Sequence, residues 1–168
     1  MNSKTYEQML NDPELSHLLG QTLLRDDLLT EILGDEAHEI LYWAGKRLGR
    51  NYRLKSVDDI INFFAQFGFG NLALTKESKN QMDFEITGEI IKTRLSNDAD
   101  ADFQLECGLI AQLVEFISNK QSEAENIKRN IKKGIITIRV SSSDEQPIDA
   151  IIPDDFFEIK HADAADTE

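Results

Sequence analysis

The sequence predicts an α+β domain in which helices pack against an antiparallel sheet of about four or five strands. Two patterns carry this. Apolar residues recur at helical spacing from residue 24 to residue 67 and again from 103 to 117, whereas they alternate between 72 and 86 and between 136 and 140. The composition agrees: 40% of the 168 residues are hydrophobic and 29% charged, a mixture that folds rather than one that stays disordered. A chain of this length buries roughly 70% of its unfolded surface, enough for one sizeable core.

Taken in order, Asn11, Asp12 and Pro13 are helix-start residues, and residues 13–19 read as a short helix ended by Gly20. Residues 1–20 are thus an N-terminal arm or short helix. Apolar residues at 24, 28, 29, 32 and 33 predict a helix closed by Gly34. Asp35 is placed to cap the next, in which Ala37, Ile40, Leu41, Ala44 and Leu48 share a face and Lys46, Arg47 and Arg50 suit the C-terminal end of the dipole. Ser56 with Asp59 opens another, with Val57, Ile60, Ile61, Phe64 and Phe67 as its stripe and Gly68 as its end.

Leu72 and Leu74, then Met82, Phe84 and Ile86, predict a hairpin around a polar turn. Beyond Gly88 the alternation resumes one residue out of step at Ile91, Thr93 and Leu95, which predicts a third strand or one long bent strand. Phe103, Cys107, Ile110, Val114 and Ile117 keep four-three spacing, a helix with a buried stripe. Gly108 within it signals close approach of another element or a ligand, because a helical glycine costs about 1 kcal/mol relative to alanine. Residues 123–133 read equally as helix, from Ala124, Ile127 and Ile131, or as strand and turn, from Asn130 and Gly134. Ile136, Ile138 and Val140 form a strand. Residues 21–143 thus make one domain and 144–168 an acidic, flexible tail with an apolar island at 148–152, Phe156 and Phe157 that could dock on the body.

The net charge of −13 makes nucleic acid and an anionic membrane poor partners. Residues 144–168 hold nine acidic side chains against Lys160 alone, so the body is only mildly acidic. A single cysteine excludes an intramolecular disulfide framework and suits a reducing cytoplasm. The N-terminus lacks the apolar core of a signal peptide, and no stretch reaches the ~20 apolar residues of a membrane span. A cytoplasmic location is expected.

No catalytic motif emerges. Asp98, Asp100 and Asp102 imitate the start of a calcium loop, but Phe103 and Leu109 stand where a glycine and a carboxylate are needed. His17, His38 and His161 lack the spacing of paired metal ligands. Gly68-Phe-Gly70 has neither a third glycine nor a following helix. Neither a metal nor a cofactor is expected. Lys46-Arg-Leu-Gly-Arg-Asn-Tyr-Arg-Leu-Lys55 carries five positive charges, a solvated helix end or a patch for an anion, an acidic partner or the chain's own tail.

Ile40-Leu-Tyr-Trp-Ala-Gly-Lys-Arg-Leu48, Phe67-Gly-Phe-Gly-Asn-Leu72 and Phe103-Gln-Leu-Glu-Cys-Gly-Leu-Ile-Ala-Gln112 together resemble the YslB family, small proteins of unknown function from low-GC Gram-positive bacteria. That family in turn resembles vinyl-reductase-like ligand-binding domains, subunits of the TRAPP vesicle-tethering complex and haem-based nitric-oxide sensors. The resemblance implies a TRAPP-subunit-like fold, dimerisation through helices, a deep apolar pocket beside Cys107 and Gly108, and strand and turn over residues 123–133. The chain departs from the haem sensors, having no Tyr-x-Ser-x-Arg string.

Two non-enzymatic functions follow. The first is a small-molecule-binding or regulatory domain, expected to be a homodimer, with an apolar pocket lined by Trp43, Phe64, Phe69, Cys107, Gly108 and Ile110. The second is a dimeric interaction or scaffold protein without a small ligand, whose signature is an exposed Trp43 and Tyr42.

Overall fold

A computed structural model describes residues 1–144 and 155–161. Helix α1 spans Ser3–Asn11, capped by the Asn2 side chain, which accepts from the Thr5 amide. The helix predicted at 13–19 is therefore displaced. Residues 13–15 form a turn, and a 3-10 turn at Ser16–Leu18 leads into a continuous helical run. That run comprises α2 (Leu19–Thr22), a π-helical stretch (Leu23–Leu28) and α3 (Leu29–Leu33). Gly20 lies inside it and Gly34 ends it.

Helix α4 (Ala37–Gly49) follows, preceded by a 3-10 turn over Gly34–Glu36, so Asp35 sits in that turn and makes no cap. Its buried side is Leu41, Gly45, Lys46 and Gly49, whereas Ile40 and Ala44 face outward, a rotation away from the predicted face. Helix α5 (Val57–Gln66) begins as expected, with the Ser56 hydroxyl accepting from the Asp59 amide, and it buries Ile60, Phe63 and Phe64.

The hairpin is β1 (Asn71–Ser78) and β2 (Gln81–Thr87). Residues 89–97 correct the expectation of a further strand: they form helix α6 (Glu89–Asn97). Gly88 turns the chain there at φ 120°, a conformation that side chains disfavour. Ile91 and Leu95 are four apart as well as being of equal parity, so burying both satisfies either period. Helix α7 (Gln104–Ser118) matches its predicted span. β3 (Ser122–Asn130) and β4 (Ile135–Ser142) then resolve residues 123–133 as strand and turn.

The sheet is four-stranded and antiparallel in the order β1-β2-β4-β3. β3 is charged because it is an edge, where outward-facing Glu and Lys discourage pairing with other chains. In the centre Phe84 faces Ile138 and Ile86 faces Ile136, all fully buried. Asp83 lies opposite Arg139, whose Nε and Nη2 donate to it at 2.7 and 2.8 Å and hold its carboxyl below the usual carboxylate range.

Helix α7 lies between this sheet and α4, and every residue from Glu106 to Glu115 is buried. α4 can approach it because both helices lack side chains at the crossing. A Cβ on Gly108 would stand 1.9 Å from the Tyr42 carbonyl oxygen, and one on Gly45 would stand 2.2 Å from that of Leu105. Close packing, the first of the two readings of Gly108, is what the backbone displays.

Residues 155–161 lie on α5 and the segment before it. The Phe157 amide donates to the Arg53 carbonyl at 2.8 Å, and Ile159 packs against the core. The apolar island at 148–152 lies outside the described residues. Among the described residues, no helix is long and apolar enough to cross a membrane.

Candidate functional site

The helices from residue 19 to α4 line a polar cleft and also expose several large apolar side chains. They meet α6 and the start of α7 around this cleft of about 280 Å³, lined among others by Arg25, Asp26, His38, Arg94 and Asp102. Arg94 anchors it. Its Nε donates to both oxygens of Asp26 at 3.1 Å, Nη2 donates to Asp26 at 2.9 Å and to the Asp102 carbonyl at 2.6 Å, and Nη1 reaches Glu106 at 3.3 Å. Arg25 donates to the other oxygen of Glu106. The Arg94 guanidinium also lies 4.3 Å from the centre of the Phe103 ring.

Two cations and two anions therefore balance in a nearly dry site, with Glu106 at 0% exposure. Burial pushes the Arg94 guanidinium below its ordinary value, and neighbouring Arg25 adds to this. At the mouth, His38 Nδ1 is 2.7 Å from Asp102 Oδ2 and its Nε2 is 2.6 Å from the Gln104 side-chain amide nitrogen. Asp35, Asp98 and Asp100 complete the rim, so the mouth is acidic. Among the described residues, no group of three or more His, Cys, Asp or Glu is placed to hold a metal.

A second polar cluster closes α4 over α7 and β3. Lys46 Nζ, almost fully buried, donates to the Ser122 carbonyl at 2.9 Å and to Glu123 at 3.0 Å, and lies 3.6 Å from Glu115. The Tyr42 hydroxyl donates to Glu123 and accepts from the Ala124 amide, while burial pushes its pKa up. These groups satisfy one another.

The same segment also exposes large apolar side chains, among polar ones such as Glu31, Glu36 and Glu39. Leu23, Leu24, Leu28, Leu29, Ile32, Ile40 and Trp43 are 36% to 67% exposed. Seven large apolar side chains within 21 residues exceed the scattered singles usual on a monomer surface.

The six residues predicted to line an apolar pocket are not gathered at the cleft. Phe64, Cys107 and Ile110 are fully buried core, and Gly108 is covered by α4. Phe69 is partly buried and borders a much narrower crevice beside Arg25 and Glu106. Trp43 is 60% exposed, its ring edge-on to Tyr42 with centroids 5.7 Å apart. Burial pushes the Cys107 thiol far above its ordinary range, so it remains protonated. Sequence reasoning missed Arg25, Asp26 and Arg94: Arg25 is 81 residues from Glu106 and Asp26 is 68 from Arg94, although Arg94 is only 12 from Glu106 and 8 from Asp102. One signal was available: Glu106 stands next to Cys107 at the start of a helix that is mostly apolar from Leu105 to Val114.

The architecture is that of an α+β domain with helices on one antiparallel sheet, and a solved structure shares that fold. A vinyl-4-reductase family protein from Methanocaldococcus jannaschii superposes with a TM-score of 0.53 at 14% identity, covering 62% of this chain and 68% of that one. A trafficking protein particle complex subunit 3 from Naegleria fowleri, covalently bound to palmitic acid, gives 0.49 at 18% identity, covering 76% and 96%. Residues 18–141 match the family described as protein of unknown function (DUF2507), and the chain belongs to that family. The uncharacterised protein YslB of Bacillus subtilis (strain 168) is 32% identical over 123 residues, 73% of this chain and 83% of that protein.

Proposed function

We propose that this protein is a non-catalytic interaction module that works as a homodimer, joined through the exposed apolar side chains of residues 23–43. The single observation behind this is the row of seven exposed large apolar side chains, Trp43 among them. Aromatic and aliphatic groups concentrated in one region are what a protein interface needs at its centre. A second copy is the favoured occupant, because two such rows are mutually complementary without any charged partner. A stable contact buries roughly 800 Å² on each side, an area that two helices can supply.

Trp43 is the only tryptophan and so reports the contact directly. Its emission is expected to be that of solvated indole in dilute protein and to shift to the blue as concentration rises, with Ile32→Glu abolishing the shift. Emission that stays solvated at every concentration would overturn the proposal.

A second reading, a small-molecule site, is favoured by the cleft at Arg25 and Asp102. Its charged walls suit a polar ligand better than an apolar one. A mass excess on the native protein that is lost on denaturation would support it, and a clean mass would not.

A further inference from the structure

Residues 155–161 occupy a groove formed by α5 and the segment that precedes it, and they are held by several kinds of contact at once. The backbone is read first, through the Phe157 amide donating to the Arg53 carbonyl at 2.8 Å. The Phe157 ring then meets Tyr52 edge-on at 5.0 Å and reaches Phe67 at 6.3 Å. Phe156 lies under two cations, with the Arg53 guanidinium 4.3 Å and the Lys55 ammonium 5.5 Å from its ring centre. Glu158 is 3.8 Å from Lys55, and Ile159 packs against the core. Past these, the Gln66 side chain donates to the Lys160 carbonyl, and His161 Nε2 lies 2.8 Å from the largely buried carboxylate of Asp59.

We propose that this groove is a peptide-recognition site for a partner segment with two adjacent aromatic residues followed by an acidic and an aliphatic one. The chain's own Phe156, Phe157, Glu158 and Ile159 fill it in cis. Each requirement has its reader: Tyr52 and Phe67 take the second aromatic, the paired cations take the first, Lys55 takes the acid and the core edge takes the aliphatic. The charge also fits, since the groove supplies Arg53 and Lys55 in a molecule whose net charge is −13. The seat is shallow. Phe157 remains 37% exposed within it, so a competing segment needs to displace only a modest contact. The tethered segment competes at an effective concentration on the order of millimolar.

The test uses a fluorescein-labelled peptide of residues 153–161 titrated with two full-length proteins, the native chain and Phe156→Ala/Phe157→Ala. Anisotropy is expected to show saturable binding to the double variant and binding at least about tenfold weaker to the native chain, whose site is already filled. Adding Lys55→Glu to the double variant is expected to weaken the peptide several-fold, which separates recognition from a general effect on folding. Absence of saturable binding to the double variant, or equal affinity for both proteins, would overturn the proposal. So would a native dimer that dissociates on Phe157→Ala, because the segment would then be exchanged between copies.

Discussion

Glu106 has no access to solvent and shares its two oxygens between Arg25 and Arg94. Such a carboxylate is stable only while its partners are in place, because an uncompensated charge in a dry site is strongly unfavourable. Removing its charge takes away one of the two carboxylates paired with these guanidinium groups and leaves Asp26 on Arg94. Glu106→Gln is therefore expected to lower the unfolding free energy by about 3 kcal/mol in chemical denaturation, and to loosen residues 19–33, which Arg25 and Asp26 pin to α6 and α7. A change within about 0.5 kcal/mol, as for an ordinary surface substitution, would contradict the geometry. The sequence exposed the position of Glu106 in a mostly apolar helix but not its partners, since charge-pairing across tens of residues leaves no periodic trace. Burial of Cys107, one residue on, was legible for the opposite reason: its environment follows from the stripe it belongs to.

The crossing of α4 and α7 depends on the absence of side chains at Gly45 and Gly108. In an exposed helix, replacing glycine by alanine stabilises by up to about 1 kcal/mol. Here the sign reverses. Gly108→Ala would drive a methyl group into the Tyr42 carbonyl, and a cost of about 3 kcal/mol is expected in thermal or denaturant unfolding, the upper end of typical overpacking. A stabilised variant would mean that the helices are further apart than described. Gly108 could be read as a contact point from sequence because it interrupts a strict stripe. Gly45 could not, because α4 was assigned the face containing Ile40 and Ala44, and those residues turn outward. The same limit explains α6 and β3. Two apolar residues four apart fit a strand or a helix equally, and an edge strand with charged outward residues has no alternation to detect.

At the scale of the molecule, the residues that look most like a pocket in sequence are largely core, and those that look most like core in residues 23–43 are on the surface. An apolar helical face has one sequence pattern whether it is covered by its own sheet or by another protein, so burial within the chain and burial between chains are not distinguishable by period. Charge bears on which it is. Each copy carries −13, so two copies repel over a screening length of about 30 Å at 0.01 M salt and about 8 Å at 0.15 M. Association through an apolar face is therefore expected to tighten with added salt, whereas one driven by opposite charges would loosen. Sedimentation velocity of the native chain and of Ile32→Glu, across concentration and at both salt levels, tests this most directly. The expected result is a native species of twice 19.1 kDa that strengthens with salt and a variant that remains at 19.1 kDa; a native chain that remains monomeric throughout would contradict the account.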